Sequence, residues 1–459
     1  MSKASVAAVR PSPVAVVSRG RWLLVGVTAA LLLTLSLSLG QDVGGFQAWV
    51  WLLLVGSLVG GGLVVACVWL LRHAELSHGR GRALILAGLA LAVLFRLVLL
   101  PTERYLSDDA FRYHWDGKVV AHGVNPYAHP PNAKAVDGLR VHGLDRLINH
   151  PQHRTVYPPL AQAYFAVGYS LSPGRLLGLQ ALFLMSELVA WLLLLGALRR
   201  RGRSPAWVLV AAWAPLVLFE SYLPGHLDTL GLPWLVLFVV GLDRRNPWLA
   251  GVALAAACLI KPLPIIFVPV ALHHLGWRRS LKFGAVLLGV LAAAYLPFLS
   301  AGEGLVESLW LMARKWSMNG SLAAVLEATL PQPTARLVAA GILSLLLVAA
   351  PWIGKTLNTR LLVAWTAFVI CTPNLYAWYV VWMLPLLVLR PDPALLALAV
   401  LLPLTEVVNI DWRLHQIWRP PLWPSVVLYS VFYPLLVVSA VKRWGMFRRP
   451  TAEPSGHVV

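Results

Sequence analysis

Apolar runs of membrane-spanning length recur along this chain from Trp22 almost to its C-terminus. A segment of about 20 apolar residues crosses a bilayer as a helix, and inside hydrocarbon only helices and closed barrels satisfy their own backbone groups. Composition agrees: of 459 residues, 59% are hydrophobic and 12% charged, whereas a soluble domain carries about a quarter charged residues. Soluble, disordered and disulfide-rich secreted classes are therefore excluded. The 21 tryptophans and 12 tyrosines suit the two bilayer interfaces, where amphipathic rings gather. Cys67, Cys258 and Cys371 each lie inside an apolar run, far apart and without metal-ligand spacing, which points to core packing.

The expected fold is all-α, a polytopic transmembrane helical bundle of about 12–14 spans. Candidate spans fall at 22–39, 46–71, 83–100, 176–198, 206–222, 228–242, 247–260, 262–275, 283–300, 334–352, 361–373, 377–389, 393–408 and 424–441. The first is too long, and too far from the N-terminus, for a typical cleaved signal peptide. With the N-terminus cytoplasmic, the segments on its side are 1–21, 72–82, 199–205, 243–246, 276–282, 353–360, 390–392 and 442–459. They hold twenty-three of the 38 Lys and Arg residues but only four of the 19 acids, leaving fifteen of each elsewhere. The whole formal charge of +19 thus belongs to one face, as the positive-inside rule requires. It is a topology signal, and nucleic acid drops out as a partner. A multi-pass protein of the cell (inner) membrane follows, with both termini cytoplasmic and 101–175 outside.

Two irregularities stand out. Residues 247–275 form two short apolar pieces split by Lys261-Pro262, each below the length of a full span, so the pair goes out and back with Lys261 at the outer side. Broken backbone at that depth is tolerated where it is buried in protein or lines a cavity. The other is 101–175, far longer than an ordinary connection and rich in aromatics, which argues for function and against disorder. Within it, Tyr157-Pro158-Pro159-Leu160 and the apolar stretch after it read as a helix lying at the interface.

Chemistry concentrates where that loop opens, in Ser107-Asp108-Asp109-Ala110-Phe111-Arg112-Tyr113-His114-Trp115-Asp116. Ser107 reads as an N-cap, and Asp109, Arg112, Tyr113 and Asp116 share one helix face. Asp108 and Asp109 either cap a surface helix or act on a substrate; their position directly after a span, over the membrane surface, favours action. By spacing, Asp108 is expected to pair with Arg112 at i+4. Tyr157, beside a proline-started helix, can contact a sugar. In the turn Pro224-Gly225-His226-Leu227-Asp228 an imidazole and a carboxylate meet, and a satisfied turn aspartate and a site remain equal readings. Lys261 either snorkels or places an ammonium in an outer cavity suited to phosphate. Arg96 and Glu220, near outer span ends, can reach the same cavity, while Glu187 and Glu406 are expected to pair inside the bundle. Asn374 to Tyr379 reads as a membrane aromatic belt. No metal-ligand spacing appears.

These residues resemble the GT-C glycosyltransferases, integral-membrane enzymes that use polyprenyl-phosphate sugars. The run SDDAFRYHWDGKVVAHGVNPY, with HPQHRTVYPPLAQ and the later Arg175, is similar to bacterial mannosyltransferase-like members, and the Lys261-Pro262 break and the Asn374–Trp382 segment fit their later spans. The likeness runs from residue 83 onward. It divides the chain into a tail 1–21, two additional spans in 22–82, a GT-C-like module 83–441 with its outer loop 101–175, and a basic tail 442–459.

The resemblance implies that a first-loop aspartate, here Asp109 with Asp108 as the adjacent candidate, is the catalytic base. It implies inverting transfer of a sugar, mannose first, from a polyprenyl-phosphate donor to a glycan, lipid or protein acceptor, with no cofactor. Arg112, Tyr113, Asp116, Tyr157, His226, Asp228, Lys261 and Arg96 are the expected substrate-binding residues. Lys261, Arg112 or Arg96 can supply the positive charge that a departing polyprenyl phosphate needs. Two rivals stand beside this: a secondary transporter, against which no matching pair of broken spans appears in two halves, and a polysaccharide polymerase or ligase.

Overall fold

A computed structural model describes residues 45–71, 80–100, 107–140, 143–223, 225–415 and 417–445. The expected span 22–39 and the tails 1–21 and 446–459 lie outside them, as does Pro224. Among the described residues the fold is an all-α bundle without a strand; its only bridges join Met318 and Asn319 to Asn374. Among the described residues seven helices are long and apolar enough to cross a membrane, among them Gly45–Ala66, Leu177–Arg200, Trp277–Leu305 and Gln332–Ile353. Five further apolar helices are shorter, including Pro247–Cys258 and Leu357–Cys371.

Proline explains why several expected spans are not continuous α-helices. The stretch from Pro205 to Tyr222 is built of a 3-10 turn, two short α turns around Pro215 and a π turn, Leu218–Tyr222. In Leu227–Asp243, Ala377–Leu389 and Pro393–His415 a 3-10 segment joins an α-helix close to Pro233, Pro385 or Pro403. Proline has no N–H to give to the i−4 carbonyl and its ring crowds that carbonyl, so the ladder changes pitch there. These pieces survive in a membrane because they are covered: nearly all of Pro205–Tyr222 is buried. Trp277–Leu305 and Gln332–Ile353 lie at the bundle's periphery, exposing Leu281, Leu288, Leu337 and Leu345, as lipid-facing helices do.

The charge pattern reappears in three dimensions. Arg201 forms an ion pair with Asp243 at 2.5 Å, and Arg203 donates to the carbonyl of Leu389. Three of the basic segments thus meet at one end, a 24-residue helix away from the long loop, roughly 36 Å at 1.5 Å per residue. The Gly45–Leu71 helix, which the sequence sets apart from the rest, packs against Leu209–Val217 and Pro393–Val407; a Cβ on Gly60 would lie 3.1 Å from the Pro215 ring. The helix Pro159–Leu171 has thirteen residues, too short to span, and it packs on the loop helix Asp109–Ala121.

Candidate active site

The loop helix begins at Asp109, one residue later than an N-cap at Ser107 implies. Asp108 is the N-cap residue, outside helical geometry, while Ser107 Oγ accepts the Asp109 N–H at 3.3 Å. This changes the partners of both acids. Asn149 Nδ2 donates to Asp108 Oδ1 at 3.1 Å and to Asp109 Oδ1 at 2.5 Å. Arg112 therefore does not pair with Asp108 as the i+4 spacing suggested; its Nε donates to Asp116 Oδ1 at 2.9 Å, one turn further on. The other Asp116 oxygen accepts from Thr155 at 2.6 Å and from Gln162 at 3.3 Å. Asp116 is 1% exposed and braces Arg112 from behind.

One glycine makes this packing possible. A Cβ on Gly117 would fall 2.2 Å from the carbonyl oxygen of Phe165, so the loop helix touches the backbone of Pro159–Leu171 directly. Tyr113 then stacks on Phe165 with ring centres 4.7 Å apart and meets Tyr157 edge-on at 4.9 Å. Its hydroxyl lies 3.5 Å from Asp109 Oδ2, to which it donates.

Asp109 faces a cavity of about 490 Å³, a size that suits a small ligand. One wall is Asp109, Arg112 and Tyr113 with the segment from Asn149 to Pro158. The second is the break Ile260–Leu263, the third the amphipathic helix Glu307–Lys315 with Trp316, and the fourth runs from Phe368 to Tyr379. Of the expected site residues, Asp109, Arg112, Tyr113, Tyr157 and Lys261 line it. Asp108 and Asp116 stand directly behind that wall.

Arg96 is not part of it. Its guanidinium is fully buried against Glu187, with Nη2 2.6 Å from Oε2, and lies over the Trp191 and Tyr222 rings. Tyr222 adds a 2.6 Å hydrogen bond to the other Glu187 oxygen. The expectation that Arg96 reaches the cavity gives way to a closed polar knot, because a guanidinium in hydrocarbon needs a carboxylate and Glu187 is in reach. Glu187 is thus paired inside the bundle, as expected, and Glu406 accepts from Asn409 at 2.8 Å.

His226 and Asp228 lie one layer behind the cavity wall. Lys261 Nζ sits 2.7 Å from Asp228 Oδ1 and 4.4 Å from the centre of the Tyr379 ring. Trp382 Nε1 donates to the same Asp228 oxygen at 2.6 Å. The indole reaches it because residue 231 is glycine: a Cβ there would come within 1.9 Å of the Trp382 ring. Asp228 thus anchors Lys261 at the cavity edge. His226 is held through Nδ1, 3.0 Å from Glu220 Oε2, and by the Trp378 ring at 3.9 Å. Its Nε2 lies 3.9 Å from Asp109 Oδ2.

Electrostatics single out Asp109. Burial raises its pKa to about 6, with the charge of Asp108 as the next cause. A carboxyl at that value is ionised at neutral pH yet holds a proton far better than an ordinary aspartate, the balance a general base needs. Burial also pushes the phenols of Tyr113 and Tyr157 well above their usual range, so both stay neutral donors.

Sequence reasoning missed part of the lining. Asn149, His150, His153 and Arg154 sit in a proline-rich stretch that reads locally as a connector. The helix Glu307–Lys315 lies in a segment without a span signal; its alternation of Trp310, Leu309 and Met312 with Arg314 and Lys315 was the available clue. It is tied to the loop by the Arg154–Glu307 ion pair and by Ser308 Oγ donating to the Arg154 carbonyl at 2.7 Å. Asn374, Tyr376 and Trp378, expected in a membrane belt, form a cavity wall. Compared with protein-family models and with curated proteins, the chain matches none.

Proposed function

We propose that the protein is a GT-C-type membrane glycosyltransferase that moves a sugar, mannose first, from a polyprenyl-phosphate donor to an extracytoplasmic glycan, lipid or protein acceptor, with inversion. The observation that carries this reading is Asp109: a carboxylate with its pKa raised to about 6, facing a cavity that also presents a lysine. In this reading the acceptor hydroxyl lies against Asp109 and the anomeric carbon faces it across the cavity. Asp109 takes the hydroxyl proton as the new C–O bond forms and the bond to the phosphate oxygen breaks. The charge growing on the phosphate is met by Lys261, with Arg154 and Lys315 on the neighbouring walls. Phosphate leaves without a general acid, and a single displacement inverts the anomeric centre. Asn149 and Tyr113 hold the two oxygens of the base, and Arg112, fixed by Asp116, gives that wall its charge.

The amphipathic helix Glu307–Lys315 supports a lipid-linked donor, since its exposed Trp310 suits a bilayer interface while Ser308, Leu311, Met312 and Lys315 line the cavity. Purified protein given labelled polyprenyl-phosphate-mannose and an acceptor extract is expected to release polyprenyl phosphate in step with a glycosylated product. Absence of release with every polyprenyl-phosphate sugar tried, together with solute uptake by liposomes carrying the protein, would sink the reading in favour of a transporter.

A further inference from the structure

Behind the cavity wall, one imidazole is held more firmly than a turn residue requires. His226 follows the π turn that carries Glu220, and its backbone N–H donates to the Glu220 carbonyl at 2.8 Å. Its Nδ1 contacts the carboxylate of the same residue at 3.0 Å, and Trp378 covers the ring at 3.9 Å. Trp378 in turn stacks on Tyr376 at 4.4 Å, with the planes 9° apart. Three constraints therefore fix the ring. The nitrogen left over, Nε2, is buried without a hydrogen-bond partner and lies 3.9 Å from Asp109 Oδ2. A buried orphan nitrogen is costly unless it is used. The gap exceeds a hydrogen bond, but one bridging water or a shift of about 1 Å closes it, and catalytic contacts commonly tighten only when substrate is bound.

We infer that His226 is a positioning residue for Asp109, forming with Glu220 a carboxylate–imidazole–carboxylate line that takes the acceptor's proton away from the base. The inference rests on the glycosyltransferase reading of the site. Nδ1–H is donated to Glu220, which leaves the Nε2 lone pair aimed at Asp109. When Asp109 has taken the hydroxyl proton, that proton passes to Nε2 as the Nδ1 proton passes to Glu220 Oε2. Asp109 is an ionised carboxylate again while the phosphate is still leaving; once product has gone the protons return along the same line and Asp109 releases its proton to water in the open cavity. No bond order changes outside these transfers, and no redox partner is needed. The groups facing this line are Asp109, Lys261 and Trp378 around the imidazole, and Glu406 and Asp228 around Glu220.

The test uses His226→Gln and Glu220→Gln in the full chain. Each is expected to lower kcat by about 10–100-fold, a part of what a general base supplies, with the donor KM unchanged. In each the acid limb of the pH–rate profile is expected to move, which loss of packing alone does not cause. A readout independent of turnover is the ring resonance of His226 in protein labelled with [15N]histidine, assigned by its absence in His226→Gln. It is expected to shift when Asp109 is changed to Asn. Unchanged kcat and acid limb in both Gln variants, or a His226 resonance indifferent to Asp109→Asn, would overturn the inference while leaving the transferase reading intact. A wild type that transfers no sugar, yet whose His226 signal follows Asp109→Asn, sinks the reading and keeps the coupled pair.

Discussion

Two cation–carboxylate pairs, Arg96–Glu187 and Lys261–Asp228, are built from the same residue types inside apolar sequence, yet they do different things. Arg96 and Glu187 are closed on every side: the arginine is 0% and the glutamate 1% exposed, and Trp191 and Tyr222 complete the enclosure. Lys261 is 15% exposed at the rim of the cavity, with only its partner Asp228 sealed behind it. The difference lies in the backbone. Arg96 projects from the unbroken helix Arg80–Leu99 into a closed contact with Glu187, Trp191 and Tyr222. Lys261 sits where Pro247–Cys258 has ended and Leu263–Phe267 has not begun, so its ammonium reaches the cavity edge beside the Tyr379 ring. An intramembrane charge on a continuous helix becomes structural, and one at a break stays available.

Asp109→Asn tests the cavity side of that comparison most strongly. The substitution keeps shape and removes basicity, so turnover is expected to fall by roughly 10²–10⁴-fold, with donor binding retained; polyprenyl-phosphate release measures it. Near-wild-type turnover in this variant, with Asp108→Asn inactive, would swap the two roles. On the closed side, Arg96→Ala is expected to cost stability and not chemistry. It strands a buried carboxylate, which costs about 3–5 kcal/mol, seen as a lower midpoint of thermal unfolding with kcat per folded molecule unchanged.

Lys261→Ala sharpens the contrast, because it removes both a phosphate ligand and the partner of a sealed carboxylate. The double variant Lys261→Met, Asp228→Asn separates the two effects: it is expected to regain stability over the single variant while keeping a donor KM raised about tenfold, the worth of about 1.4 kcal/mol. A double variant with wild-type donor KM would return Lys261 to a snorkelling role.

The pH dependence follows from Asp109. A base works only when ionised, so kcat is expected to fall as pH drops through about 6. The sign for stability is opposite: a carboxyl raised by burial disfavours the folded state when ionised, and that penalty is relieved as pH falls from about 6 toward its ordinary value. Activity and stability scanned from pH 8 to about 5 are therefore expected to move apart. The smallest effect is expected from Asp108→Asn. It loses part of its tie to Asn149 and the neighbouring charge that helps raise Asp109, giving a few-fold change in kcat and an acid limb shifted downward.

Much of this molecule was legible in one dimension. Bilayer thickness sets the length of an apolar run and water sets where charge can lie, so the all-α class, the approximate span positions and the gathering of basic segments at one end needed no coordinates. Asp109 and Tyr113 were legible too, because residues four apart share a helix face whatever surrounds the helix. The shift of the helix start by one residue was not, since Asn149, forty positions away, competes for both acids. Nor was the choice between Arg96 and Lys261, because local sequence records a charge in an apolar stretch and says nothing of the carboxylate that will meet it. The cavity itself assembles from four separated segments, two of them without span signals. Span and charge patterns are local properties of a chain in a layered solvent. A cavity exists only where distant segments fail to fill the space between them, and packing alone decides that.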